Sequence, residues 1–563
     1  MKTKLLVFLL IIFINFPLYS ISFSDDEDPV RLASRITEQM TDEQALAQTF
    51  MLGWVGAEPS PVILDWIRER QIGGVKIFGW NTDDTRRLAR TVGELQSHAL
   101  DGPFGIPLLI ATDQEGGIVR HVKGDTSETP GNMAIGASGR PIDAYWSGYY
   151  IGKEIALLGI NMNFAPTVDL YTNPDSVLIS TRSFGSDPVQ AAILGSAFAK
   201  GQLDAGLIPT AKHFPGHGDT ALDSHGVLPR INLSFEELME RELIPYKMMI
   251  NEGIPAIMSA HLAFPNTEAG PVPASLSPWF LTEVLRKEMG FEGLIITDDL
   301  LMNGALIHAR SLPQAAKMAL LAGNDVIMIS STPALNDLVW TSLLDSMRNE
   351  PEFRDRVRDA CRRILTMKLI HLRGEGSVPY IPDLDLVDAG IADPRGTEFF
   401  LGLAARSVTL INNSDALPLN SETAGRVLLA GNFSDFFTVG RRAFPTAITY
   451  WYSPLRPLTT LLNHARNVDT VIFCLFDRAG MRILNQLQMQ LYHTDIKIIV
   501  LSVSSPALLD DLYRVDASLS VYSYAHESFI AGFSAMLGRI PASGRVPFPY
   551  SPERPPRQAV LGN

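Results

Sequence analysis

The chain has 563 residues, 46% of them hydrophobic and 19% charged, which is ample for a large core and too long for one compact domain of about 100–200 residues. A formal net charge of −14 argues against nucleic acid and anionic membrane surfaces as partners, because both are held through basic patches. Two cysteines cannot build a disulfide framework; Cys361, in a helix-like stretch, and Cys474, in a strand-like one, are read as buried free thiols.

The N-terminus reads MKTK, then LLVFLLIIFINFPLYS, then the acidic SDDED. A short basic region followed by an apolar run predicts a signal peptide over residues 1–24, with the processed chain starting between Ser20 and Asp25. The protein is therefore expected outside the cytoplasm, secreted or periplasmic, with no stable membrane insertion once the segment is removed. If the segment is retained, it is a membrane anchor.

Beyond it, short β-branched runs alternate with amphipathic ones. Strands are predicted at 47–54, 73–80, 106–113, 159–169, 207–214, 255–262, 293–299 and 324–331. Helix-like segments such as DDTRRLARTVGELQSHAL and PVQAAILGSAFAKGQLDAG separate them, several closed by glycine. Eight apolar strands with intervening helices predict a (β/α)8 barrel over 28–372. Residues 373–395, rich in Pro, Gly and Asp, read as a linker. Five further strands (AARSVTLIN, GRVLLAGN, DTVIFCLFD, IKIIVLSV, SLSVYSY) and three helices predict a smaller C-terminal α/β domain over 396–550, followed by a disordered tail at 551–563.

Barrel enzymes carry their chemistry at the C-terminal ends of the strands. In this chain those ends are Asp113, Asp169, Lys212 with His213, His261, and Asp298 with Asp299. A lone aspartate after a strand is usually a helix cap, but five polar strand ends together indicate a site. The fifth strand runs into AKHFPGHGDTALDSHGVLP. His213 and His217 have H-x3-H spacing, yet the intervening FPG forbids the helix that would align them, so neither a metal nor a cofactor is expected. Phosphate-cradling glycine motifs and a GxSxG elbow are absent from suitable junctions.

KHFPGHGDT followed by DSH resembles the β-N-acetylglucosaminidase branch of glycoside hydrolase family 3. DQEGG (113–117), NFAPTVD (163–169), RSFGSD (182–187), MSAHLAFP (258–265) and GFEGLIITDDLLM (290–302) resemble it in the same order. The resemblance covers about 30–370, and AARSVTLINNSDALPL with YSYAHESFIAGFSAMLGRIPASGRVPF resembles the second, α/β sandwich domain of the two-domain members. It implies Asp298 as nucleophile, His225 held by Asp223 as proton donor on a mobile loop, and Asp113, Arg182, Lys212 and His213 as substrate-binding residues. The chain departs from the pattern at Ile118, Gly226 and Leu301, which stand where the family has arginine, a large aromatic and a small polar residue.

The chemistry is consistent with those roles. Retaining glycoside cleavage needs a nucleophile at the anomeric carbon and an acid at the leaving oxygen. Asp298 at a strand end is rigidly placed, and Lys212 nearby favours its ionised form. His225 suits the second task because imidazole gives and takes protons near neutrality, with Asp223 to orient it. His217 and Asp219 are read as bracing the loop, and Asp299 as supporting Asp298. The expected function is a retaining exo-glycosidase acting on terminal β-linked N-acetylglucosamine of a carbohydrate substrate. The alternatives are a β-glucosidase or β-xylosidase of the same family, or a non-catalytic sugar-binding protein.

Overall fold

A computed structural model describes residues 21–420, 422–512 and 515–550. The predicted tail and all but the last four residues of the predicted signal peptide lie outside the described residues.

Each of the eight predicted stretches carries a strand: β1 Phe50–Gly53, β2 Gly74–Ile77, β3 Leu109–Thr112, β4 Met162–Asn163, β5 Ile208–Phe214, β6 Ala256–Ser259, β7 Leu294–Thr297 and β8 Ile327–Ile329. They form one eight-stranded parallel sheet in the order β7-β6-β5-β4-β3-β2-β1-β8. A bridge between Ile296 and Val326 joins the two ends, and the Leu300 N–H reaches the Met328 carbonyl at 3.0 Å, so the sheet closes into a barrel. Alternate residues explain the continuous apolar runs. Met51, Leu109, Ala111, Met162, Met258 and Ile296 meet inside the barrel. Phe50, Leu52, Val75, Ile77 and Ile110 pack outward against the helices. Both faces of the strands are dry.

The helices start where side chains satisfy the free N–H groups of their first turn. Asp84 accepts from Arg87 N–H at 2.6 Å ahead of Thr85–Leu100, and Asp187 from Gln190 N–H at 2.8 Å ahead of Pro188–Asp204. The helix after β1 begins as Pro61–Asp65 and continues in π-type geometry over Trp66–Arg70. The stretch SFEELMERELIPYKMMINEG, which reads as one helix-like segment, folds as two helices, Phe235–Glu240 and Ile244–Asn251.

Among the described residues the C-terminal domain has six strands rather than five: β9 Thr409–Asn413, β10 Val427–Gly431, β11 Ile448–Trp451, β12 Thr470–Leu475, β13 Lys497–Ser502 and β14 Ala517–Ser520. Their order is β9-β14-β13-β12-β10-β11, with β9 antiparallel to β14 and the other pairs parallel. Apolar clusters around Phe436 and Phe529 on one face and Leu484 and Leu487 on the other complete a sandwich. The stretch AARS belongs to the helix Pro394–Ser407, and Pro506–Asp511 forms a 3-10 turn. The segment read as a linker carries a helix, Leu384–Gly390, that buries Val387. Both cysteines are buried and free.

The second domain is fastened to the barrel by specific bonds. Arg406 donates twice to Asp143, at 2.7 and 3.1 Å, and the Ser523 hydroxyl donates to the Thr129 carbonyl at 3.1 Å. The loop after β14 is thereby held against the loop after β3.

Candidate active site

β7 delivers Asp298. Its N–H donates to the Ser259 carbonyl at 3.0 Å, which continues the ladder with β6, and its Oδ1 accepts the Asp299 N–H at 2.8 Å. Burial pushes the Asp298 carboxyl up, but His213, His261, the Asp299 N–H and Lys212 outweigh it and hold the group below its ordinary range. Asp298 is thus an anion in the ground state. Asp299 points elsewhere: its Oδ1 accepts from Leu301 N–H at 3.1 Å and Ser330 N–H at 3.0 Å, locking the turn after β7. His261, at the end of β6, donates through Nε2 to the Asp299 carbonyl at 3.0 Å and meets the Ser275 hydroxyl through Nδ1 at 2.7 Å.

Opposite lies a charged cluster. Lys212 contacts Asp113 Oδ1 and sits 2.6 Å from Glu115 Oε1. Lys76, fully buried on β2, holds Asp113 Oδ2 at 2.6 Å, with His121 Nδ1 at 3.6 Å. Arg182 grips Glu115 bidentately at 2.7 and 2.9 Å, and its Nη2 is 3.4 Å from His213 Nε2. Burial pushes Glu115 up, and the two cations reverse this and bring it down to about 2. Asp113 is likewise held well below its usual range against burial by Lys212 and Lys76. Asp169 organises the next layer: it accepts from His213 Nδ1 at 2.6 Å and from the His217 N–H at 2.7 Å. A carboxylate there fixes the proton of His213 on Nδ1 and turns Nε2 toward Arg182.

The loop 215–229 is built around its small residues. A Cβ on Gly218 would lie 1.5 Å from the Leu170 carbonyl oxygen, so only glycine lets the loop pass. Ser224 is buried, accepts the Gly304 N–H on its carbonyl at 3.0 Å and meets His217 Nε2 through its hydroxyl at 3.2 Å. Its neighbours Asp223 and His225 face outward. His225 Nδ1 donates to Asp223 Oδ1 at 2.7 Å and the His225 N–H reaches the same oxygen at 2.9 Å, which leaves Nε2 facing solvent. Burial raises the Asp223 carboxyl, but these bonds keep it below its ordinary range. His217, pressed down to about 4 by burial and by His213, is a neutral brace. Asp219 pairs with Arg241 at 2.8 Å.

The structure therefore brings Asp113, Arg182, Lys212 and His213 into one cluster and sets Asp223 with His225 on a separate, exposed loop. Sequence reasoning passed over Lys76 and Glu115. Lys76 had a signal: it is the one charged residue within β2, at the inward-facing position between Val75 and Ile77. Among the described residues no group of three or more His, Cys, Asp or Glu is placed to hold a metal ion. Lys76→Met is expected to move the acid limb of the kcat/KM–pH profile toward higher pH. With one ammonium gone, burial is less opposed and Asp113 takes up its proton sooner as pH falls. An unshifted acid limb in an active variant would refute this role.

Residues 42–367 match the glycosyl hydrolase family 3 N terminal domain. The chain is 38% identical over 308 residues to a β-hexosaminidase of Tolumonas auensis, spanning 54% of this chain and 88% of that protein. It is 31% identical over 380 residues to β-hexosaminidase A of Pseudoalteromonas piscicida, covering 64% of this chain and only 62% of the relative's length. A solved family 3 β-N-acetylglucosaminidase from Paenibacillus sp. str. FPU-7 superposes with a TM-score of 0.81 at 28% identity, over 91% of this chain and 99% of the other, so the likeness takes in both domains. With a closed barrel, an anionic aspartate at the end of β7 and a cation-bound carboxylate cluster facing it, the chain belongs to glycosyl hydrolase family 3.

Proposed function

We propose that the protein is a retaining exo-glycosidase that hydrolyses terminal β-linked N-acetylglucosamine through a covalent glycosyl-enzyme intermediate. In this reading Asp298 is the nucleophile, His225 the acid and then the base, and Asp223 its orienting partner. Asp113, Arg182, Lys212 and His213 hold the sugar. The observation that carries the proposal is the docking of the dyad loop onto the segment that follows the nucleophile: Gly304 N–H bonds to Ser224 O, between the two dyad residues. This bond ties the loop that carries the proposed donor to the helix Asn303–Ala309, which follows the proposed nucleophile, and supports a pairing of the two in a two-step displacement. The names of the relatives support the N-acetylhexosamine preference.

Purified protein should release nitrophenol from 4-nitrophenyl N-acetyl-β-glucosaminide at least about tenfold faster, as kcat/KM, than from the β-glucoside or β-xyloside. A preference for either of the latter would replace this reading with the glucosidase or xylosidase one. Added phosphate should leave N-acetylglucosamine, not its 1-phosphate, as the product. Prolonged chelation should not reduce the rate.

Export is part of the proposal, supported by the apolar N-terminal run. Ile21 and Phe23 are buried with Leu32, Ile36 and Leu365 in a cluster below the barrel. Cleavage at the early edge of the 20–25 window keeps both residues in place. Mass spectrometry of the native protein is expected to find a first residue at or just before Ile21, and an intact Met1 in a cytosolic fraction would refute export.

A further inference from the structure

Trp80 is 50% exposed, yet it is rigidly held. Its indole N–H donates to the Trp54 carbonyl at 2.7 Å, and one face stacks on Phe78 with centroids 4.5 Å apart. The Phe78 ring in turn carries the Lys76 ammonium 4.5 Å from its centroid, and Lys76 holds Asp113. A continuous series of contacts therefore connects the sugar-binding cluster to a free aromatic face.

That face borders a cleft of about 730 Å³ whose walls also include Ile118, Arg120, His121 and, from the second domain, Tyr524. The walls are fixed. Arg120 is bound to Glu128 at 3.0 Å and to the Thr126 carbonyl at 2.7 Å, and Tyr524 stacks on Phe433 at 5.1 Å. A single exposed tryptophan means little by itself. Here a pinned indole face, a guanidinium–carboxylate pair and a phenol line one concavity, and His121 belongs both to it and to the Asp113 cluster. An aromatic plane rimmed by paired hydrogen-bonding groups is the chemistry that takes a pyranose ring, whose C–H face stacks while its hydroxyls pair at the edge.

The barrel order gives the side on which the cleft lies. β3 is four strands from β7 in either direction, so Asp113 faces Asp298 across the barrel. A pyranose lying across the barrel with C1 at Asp298 would turn the far side of its ring, the C4–C6 edge, to Asp113. The leaving group departs toward His225, whose loop is tied to the residues after β7 rather than to β2 or β3. The cleft extends away from the leaving group.

We infer that this cleft is a subsite for a second sugar ring joined to O4 or O6 of the N-acetylglucosamine unit, stacked on Trp80, so that the enzyme also releases such disaccharides whole. The inference rests on Asp298 as the nucleophile. It is tested with three 4-nitrophenyl β-glycosides: N-acetylglucosamine, and the same unit bearing a β-galactose on O4 or on O6. Galactose is chosen because the proposed activity does not remove it. Wild-type enzyme should release nitrophenol from at least one galactosylated substrate, with the intact disaccharide seen by mass spectrometry. Trp80→Ala should lower kcat/KM for that substrate about tenfold more than for the simple glycoside, and Trp80→Phe should recover most of the difference. Cleavage of the simple glycoside alone overturns the inference and leaves the proposed function standing. Equal loss on all substrates in Trp80→Ala, or a loss confined to substrates with a longer leaving group, also overturns it. No cleavage of any of the three overturns the function on which it rests.

Discussion

Asp298→Ala is expected to slow hydrolysis of every β-N-acetylglucosaminide by about 10⁴-fold or more, whatever the leaving group. The covalent step has no substitute nucleophile within the turn, because Asp299 is committed to the N–H groups of Leu301 and Ser330. The fold should survive. The Asp298 side chain makes one short-range bond, to its neighbour's N–H, while the strand ladder is carried by the backbone bond to Ser259. Unchanged thermal unfolding would separate lost chemistry from lost structure. Azide supplies a second signature. In the space left by the carboxylate it can attack the anomeric carbon of an activated substrate from below and give the α-glycosyl azide. Retention of more than about one per cent of wild-type turnover would exclude Asp298 as nucleophile.

The barrel was legible because its strands are dry on both faces, so most read as apolar runs, with Lys76 in β2 and Lys212 and His213 in β5 as the interruptions. β11 escaped for the opposite reason. Ile448–Trp451 is a four-residue edge strand with one buried residue, and neither alternation nor continuity marks it. The helices Ser434–Ala443 and Leu458–Ala465 flank it and were missed with it. The composition of 373–395 suggested a linker, yet Val387 is an apolar residue that the helix Leu384–Gly390 turns inward.

The strand-end rule found Asp113, Asp169, Lys212, His213, His261, Asp298 and Asp299, but it could not rank them. Their roles depend on partners far apart in sequence, such as Glu115 with Arg182 and Asp169 with the His217 N–H. Lys76 lay beyond the rule because it sits within β2 rather than at its end. It is tolerated there because Asp113, the Ile77 carbonyl, His121 and the Phe78 and Phe164 rings surround the ammonium. The loop carrying the dyad was expected to be mobile. In the structure its centre is anchored by Ser224, while His225 remains 67% exposed at the side-chain level.

His225→Ala should distinguish substrates by leaving group where Asp298→Ala does not. A disaccharide must have its glycosidic oxygen protonated to depart, so its turnover should fall by about 10²–10⁴. A dinitrophenyl glycoside leaves as a stable anion and should form the glycosyl-enzyme at nearly the wild-type rate. Breakdown of the intermediate still needs a base to activate water, so a burst followed by slow turnover is expected. The dyad geometry requires this double role. With Nδ1 donating to Asp223, Nε2 is the single site that can release a proton in the first step and accept one in the second. Azide needs no deprotonation and should accelerate the second step, giving the β-glycosyl azide through two inversions, in contrast to the α-product from Asp298→Ala. Asp223→Asn should show the same leaving-group dependence in weaker form, since the amide still reaches Nδ1 but no longer supplies the negative charge that stabilises an imidazolium. If His225→Ala slows good and poor leaving groups equally, the dyad is not the proton donor. If it gives the α-azide, the reaction does not pass through Asp298.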